Sequence, residues 1–271
     1  MNDSRKKAVP GIPIISVRNL AAGYGDETVI ENVSFDVFEG EVFAILGRSG
    51  CGKSTLLKAM TGLLDVRSGE VVIDEDVVVS AGQGFPEDAS RKIGVLFQSG
   101  ALFSSMTVAE NVAFPLRQLT TLPERIIELV VTLKLTEVGL GGKERFLPTE
   151  LSGGMQKRAA LARAMSLDPR ILFFDEPSAG LDPITSAELD RTILTINETL
   201  GTTIVIVTHE LASLFAVADR VVMLDEKEKN IIAYGSPAEL RDQSDDERVR
   251  DFFNRVPSGD ESRTAGEEST Q

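Results

Sequence analysis

A single cysteine in 271 residues excludes an internal disulfide and suits a reducing compartment. Apolar runs are short: none approaches the 18 residues that a membrane-crossing helix needs, so any membrane role is peripheral and runs through a partner. Arg5, Lys6 and Lys7 near the N-terminus are followed by no apolar stretch, which argues against a secretory signal. Positive charge is scarce, 28 Lys and Arg against 42 Asp and Glu for a net charge of −14, and that opposes nucleic acid as the main partner. No internal repeat is visible. What remains is a chain 42% hydrophobic with mean hydropathy near zero, long enough to bury one large α/β domain, with or without an inserted lobe.

Residues 1–13 read as a flexible N-terminal arm. Short β-branched runs at 14–20, 29–38, 42–46, 70–74 and 93–97 read as strands. Tyr24 falls in a Gly-flanked loop between the first two, and 80–92 is a polar Gly/Pro loop. From 99 to about 165 the pattern turns helical: an apolar helix from Val108 stopped by Pro115, an amphipathic one from Pro123 to about Val138, and another from Ser152 to Met165. Three compact runs follow at 171–174, 203–207 and 220–224, separated by helical stretches at 186–200 and 211–218. Strands alternating with such helices indicate βαβ units and a parallel sheet. Residues 241–256 close the chain with short helical segments, and the Gly/Ser/Glu-rich residues 257–271 read as a disordered tail.

The stretch Val42–Thr55 dominates the sequence. A buried strand runs into Gly47-Arg48-Ser49-Gly50-Cys51-Gly52-Lys53-Ser54 and then, from Ser54 and Thr55, into a helix. This is the P-loop pattern in its strand–loop–helix setting. Its N–H groups form an anion cradle at a helix N-terminus. Lys53 would reach the β- and γ-phosphates of a nucleoside triphosphate and Ser54 would sit on Mg2+. Cys51 is either a small filler or, beside a helix N-terminus, a reactive thiolate that nucleotide would shield. At 171–176 an apolar strand ends in Asp175-Glu176, placing Asp175 to hold Mg2+ opposite Ser54 and Glu176 to act as general base on water. Leu151-Ser152-Gly153-Gly154-Met155-Gln156 opens a helix with exposed N–H groups and a hydroxyl, a second anion site. One P-loop suffices for one nucleotide, so this second site points to another copy of the protein. His209, the only histidine, follows a strand directly.

The P-loop, Gln98, residues 151–156, Asp175-Glu176 and His209 occur in the order and spacing of ABC-transporter ATPase subunits, and the chain resembles that family over residues 14–240. The resemblance implies an α/β P-loop NTPase fold of the ABC type: a RecA-like parallel-sheet core, an antiparallel β subdomain and a helical lobe inserted at about 99–165. It implies a head-to-tail homodimer with two ATP molecules sandwiched between the subunits. Tyr24 would then stack on adenine. Gln98 would touch Mg2+ and the attacking water. Ser152, Gly153 and Gly154 would bind the γ-phosphate in trans, with Gln156 beside them. Asp182, in the loop 178–182, would join the two sites, and His209 would hold Glu176 and the water in place.

Within the family, residues 96–103 and 110–116 are similar to the ATPases of Mla/MCE-type lipid transporters, and residues 181–185 and 252–257 agree. That similarity implies phospholipid-type transport at the cytoplasmic face of the inner membrane. The implied partners are an integral-membrane permease, an MCE lipid-binding protein and a STAS-domain protein. Leu102, Phe103 and Met106 would meet the permease, the alternative being packing within the helical lobe. An importer ATPase for a small polar solute such as an amino acid is opposed by residues 99–103 and 111–116. A soluble ABC ATPase of repair or translation is opposed by the single cassette and the short span, roughly fifty residues, from Gln98 to Leu151.

Overall fold

The computed structural model describes residue 11 and residues 13–254; most of the N-terminal arm and the tail 257–271 lie outside them. Two sheets are built from ten strands of the described chain. The first is antiparallel, order β2-β1-β4-β5, from β1 (Pro13–Tyr24), β2 (Glu27–Phe38), β4 (Val66–Ile73) and β5 (Asp76–Ser80). The second has the order β10-β9-β3-β8-β7-β6. It is formed by β3 (Val42–Gly47), β6 (Ile93–Leu96), β7 (Ile171–Asp175), β8 (Thr203–Val207), β9 (Arg220–Asp225) and β10 (Asn230–Gly235). Its neighbours are parallel except β10, which runs against β9.

Strand alternation decides which core each side chain enters, because successive residues face opposite sides of a sheet. Val42, Ala44 and Leu46 of β3 join one cluster with Leu172 and Phe174 of β7 and Ile204 and Ile206 of β8. Phe43, Ile45, Phe173 and Val205 join the other. The second cluster is closed by the antiparallel sheet and by α1 (Lys53–Met60), through Leu56, Leu57 and Met60. Burying each such side chain contributes roughly 1.5–3 kcal/mol. Both faces of the parallel sheet are therefore covered, and its strands read as continuous apolar runs.

The first cluster is closed by the helical lobe, which comprises α3 (Val108–Leu119), α4 (Glu124–Glu137) and α5 (Gly153–Ala164). Further helices, α6 (Pro183–Leu200) and α7 (Leu211–Val217), link the later strands, and α8 (Pro237–Gln243) and α9 (Glu247–Phe253) end the described chain. No described helix is long and apolar enough to cross a membrane.

Four local readings change. Pro13 begins β1 rather than ending an arm, and Tyr24 ends that strand, paired with Glu27. The 80–92 loop contains a short helix, α2 (Glu87–Lys92). Pro115 does not stop α3. A capping box of Thr107 and Glu110 fixes its start, and buried Val108, Val112 and Leu116 on either side of the proline hold the helix together. Strands β5 and β10 were not legible: each pairs on one side only, and β10 is only half-buried, so neither shows a clean apolar pattern.

Candidate active site

The carboxyl ends of four adjacent strands converge. In spatial order β3 runs into the P-loop, β8 leads to His209, β7 delivers Asp175 and Glu176, and β6 leads to Gln98. With neighbouring strands about 4.8 Å apart, these groups share one crevice, where open α/β sheets bind ligands.

At the loop, Gly47 has φ 148°, and a Cβ there would lie 2.4 Å from Cys51 Sγ and 2.7 Å from the Leu224 carbonyl oxygen. Only glycine lets the chain leave the strand and wrap an anion at that point. Lys53 Nζ donates to the carbonyls of Gly47 and Arg48, 3.0 Å each, so its ammonium is curled across the cradle it would share with phosphate. Ser54 is half-buried, Thr55 is buried behind it, and Ser49 and Gly50 are exposed at the tip. The Cys51 thiol is buried. That burial pushes its pKa up against the opposing pull of Lys53, the direction that favours a packed thiol over a thiolate.

Ser54 Oγ donates to Asp175 Oδ1 at 2.9 Å, which sets two hard oxygen ligands side by side. Mg2+ takes few protein oxygens and completes its shell with phosphate and water. These residues fit it, whereas among the described residues no group of three or more His, Cys, Asp or Glu could hold a metal alone. Gln98 is exposed on an open groove lined also by Phe97, Ser99, Asp175, Ala179 and Gly180, on the side from which a further ligand or water would come.

Glu176 has φ 47°, a left-handed conformation that costs a non-glycine residue on the order of 1 kcal/mol. It is held there by its N–H donating to the Val207 carbonyl at 2.9 Å. The carboxylate is thereby turned toward β8, and His209 Nδ1 lies 3.0 Å from its Oε1. The pair is asymmetric, with the Glu176 side chain 17% and the His209 side chain 53% exposed: the carboxylate is enclosed and the imidazole reaches the surface. Behind them Ser178 Oγ donates to Glu210 Oε2 at 3.2 Å, joining the segment after Glu176 to that after His209.

The segment 151–156 opens α5. Ser152 caps α5, its hydroxyl accepting from the Met155 N–H at 3.3 Å, and Ser152 and Gly153 are exposed. A Cβ on Gly154 would fall 2.4 Å from Thr185 Cγ2, so a larger residue there would make Thr185 shift where α5 starts against α6. Asp182 caps α6, accepting from Ile184 and Thr185 N–H and from Thr185 Oγ1. Gln156 turns away from the exposed end and donates to the Leu151 carbonyl at 3.1 Å. Tyr24 is half-exposed, with Lys58 of α1 6.0 Å from its ring centre. Within this one chain, then, residues 152–154 are not brought to the P-loop crevice as Gln98, Asp175, Glu176 and His209 are.

Sequence reading missed Lys157, Arg163 and Asn111. Asn111 is fully buried and closes the 103–107 turn: its amide accepts from Phe103 N–H and donates to the carbonyls of Phe103, Met106 and Thr107. Lys157 lies three and four residues before buried Ala160 and Leu161; that helical spacing was the available signal of a lysine on a buried face.

A family model described as ABC transporter matches residues 30–179. The chain is 39% identical, over 91% of its length and 90% of the relative's, to the Intermembrane phospholipid transport system ATP-binding protein MlaF of Escherichia coli (strain K12). It is 43% identical, over 89% of its length and 68% of the relative's, to the Probable ribonucleotide transport ATP-binding protein mkl of Mycobacterium leprae (strain TN). Among solved structures it resembles the dimeric ATP-binding cassette MJ0796 in a post-hydrolysis state bound to ADP and Pi. That match has a TM-score of 0.72 and 28% identity, over 82% of this chain and 98% of that one.

Proposed function

The chain belongs to the ABC transporter family of ATP-binding cassettes, and from that premise we propose that it is the ATP-hydrolysing subunit of a transporter moving phospholipid between membranes. The observation that carries the catalytic part is the crevice in which the P-loop, the Ser54–Asp175 pair and the Glu176–His209 pair meet. The lipid part rests on the likeness to MlaF over nine-tenths of both chains and on the stretch 96–116.

On this reading Lys53 exchanges its two backbone carbonyls for phosphate oxygens, and the loop N–H groups hold the rest of the triphosphate. Ser54 and Asp175, with Gln98 nearby, would hold Mg2+, which would supply charge neutralisation on the phosphates. Glu176 takes a proton from the attacking water, and His209 fixes the orientation of that carboxylate. Exposed Ser152 and Gly153 and buried Gly154 serve the nucleotide of a second copy, so hydrolysis requires a homodimer in which Asp182 lies near the seam. Tyr24 flanks the base. Phe103, supported by half-buried Leu102 and Met106, meets an integral-membrane permease at the cytoplasmic face of the inner membrane, in a complex with an MCE lipid-binding protein and a STAS-domain protein.

The test is affinity purification of the full-length chain from detergent-solubilised membranes. ATPase activity with a co-purifying permease and phospholipid is expected. ATPase activity with a permease that binds ribonucleotide or another polar solute would replace the lipid reading, as the name of the mycobacterial relative suggests. Absence of ATPase activity from the complex would remove the catalytic one.

A further inference from the structure

One buried cation near the crevice has no part in the scheme above. Lys157, on the second turn of α5, is 7% exposed, and its Nζ donates to the backbone carbonyl of Gln98. Among the described residues no carboxylate pairs with it directly; burial lowers its pKa, and Glu176 and then Asp175 oppose that only in part. A buried cation is costly, and an apolar side chain of similar volume would serve stability at least as well. Its placement therefore asks for a role in the site.

The same helix also grips the chain beyond Gln98. Arg163 lies six residues on, about 9 Å along the axis. Its Nη1 donates to the Ala101 carbonyl at 2.6 Å and its Nη2 to that of Gly100 at 2.9 Å. Gly100 and Ala101 sit in left-handed backbone, φ 74° and 48° respectively, and Gly100 rests against Ala160. Two cations thus fasten residues 98–101 to one helix. That helix starts at Ser152, the group proposed to serve the partner's nucleotide, while Gln98 serves the chain's own.

We infer that Lys157 is a positioning residue for hydrolysis, fastening Gln98 to the helix that begins at Ser152 and holding a positive charge toward Asp175 and Glu176. The inference rests on the reading of that crevice as the hydrolytic site. A shift of α5 caused by the partner's nucleotide reaches Gln98 through this contact. Removing it leaves the P-loop, and with it ATP binding, untouched.

The experiment compares wild type, Lys157→Met and Lys157→Arg, each as the full-length chain in its membrane complex, by kcat and KM for ATP. Lys157→Met is expected to lose about tenfold or more in kcat, since a small displacement of a catalytic group can cost as much as 10²-fold, with KM within about twofold. Lys157→Arg, which keeps donor and charge, is expected to recover at least a third of wild-type kcat. Should the methionine variant fail to assemble, Lys157→Gln keeps a donor without the charge and is expected to lose kcat while binding ATP normally. Wild-type kcat in the methionine or glutamine variant, a loss appearing in KM instead, or arginine no better than methionine would overturn the inference. An inactive wild-type complex would overturn the function proposed above, and this inference with it.

Discussion

Glu176 carries two demands at once: its backbone is held left-handed by Val207, and its side chain is held by His209. Because the backbone contact does not involve the carboxylate, Glu176→Gln should keep the fold and the nucleotide site. ATP binding is expected to persist and a dimer to accumulate, while hydrolysis falls by ~10²-fold or more with the loss of the general base. Size-exclusion chromatography with ATP and a steady-state assay check both halves, and near-normal turnover would refute the assignment. Gly47 makes the opposite demonstration. A Cβ there meets a sulfur at 2.4 Å and a carbonyl oxygen at 2.7 Å, so Gly47→Ala must shift the loop against β9. ATP binding is expected to weaken at least tenfold, read by equilibrium titration. Both positions were legible in the sequence because their motifs fix residue type at fixed spacing. The state of the Cys51 thiol was not: the motif shows its helix terminus, whereas its burial depends on packing beneath Gly47.

Among the elements, the contact between α6 and α7 contains a carboxylate that the catalytic scheme does not use. Asp190 on α6 is buried, one oxygen accepting from Ser213 Oγ at 2.8 Å and the other, Oδ1, without a partner. Burial, with Glu210 nearby, raises its pKa, and the Ser213 hydrogen bond opposes this only in part. The folded chain therefore holds this proton more tightly than the unfolded one. The sign follows: the stabilising contribution is full below the ordinary carboxylate range and is lost as pH rises through the folded pKa. Asp190→Asn, neutral throughout, is expected to raise Tm by a few degrees at pH 8 and by less at pH 5. An equal shift at both pH values, by thermal unfolding with ATP absent, would refute it. Elements differed in how openly the sequence displayed them. β3, β7 and β8 are covered on both faces, so continuous apolar runs announced them. β5 and β10 pair on one side only, and α2 is a six-residue helix with one buried residue; such segments are set by neighbours rather than by their own pattern. Pro115 misled because residue type predicts a break, whereas burial of Val112 and Leu116 holds α3 through it.

At the scale of the whole molecule, the P-loop crevice and the start of α5 are different parts of one chain, and on the proposed reading the surface between crevice and lobe connects them to a membrane partner. The turn after Gln98 is suited to that connection. Phe103 is 43% exposed, tilted on Phe114 with ring centres 5.0 Å apart, and 6.0 Å from the Arg163 guanidinium that grips Gly100 and Ala101. Buried Asn111 holds the turn from beneath. Leu102 and Met106 are half-buried, and Leu102 packs on the main core, so the three residues expected as one exposed patch divide into one surface ring and two supports. Phe103 is the variant that isolates docking, because Leu102→Asp would also put a charge against the core. Phe103→Asp is expected to leave ATP affinity and Tm near wild type while the chain no longer co-purifies with its permease. Leu102→Asp should lose the same contact and also several degrees of Tm. Co-purification of Phe103→Asp at the wild-type level would move the docking site off this turn. Release of Leu102→Asp alone would show that the turn's packing, and not its exposed ring, is what the partner requires.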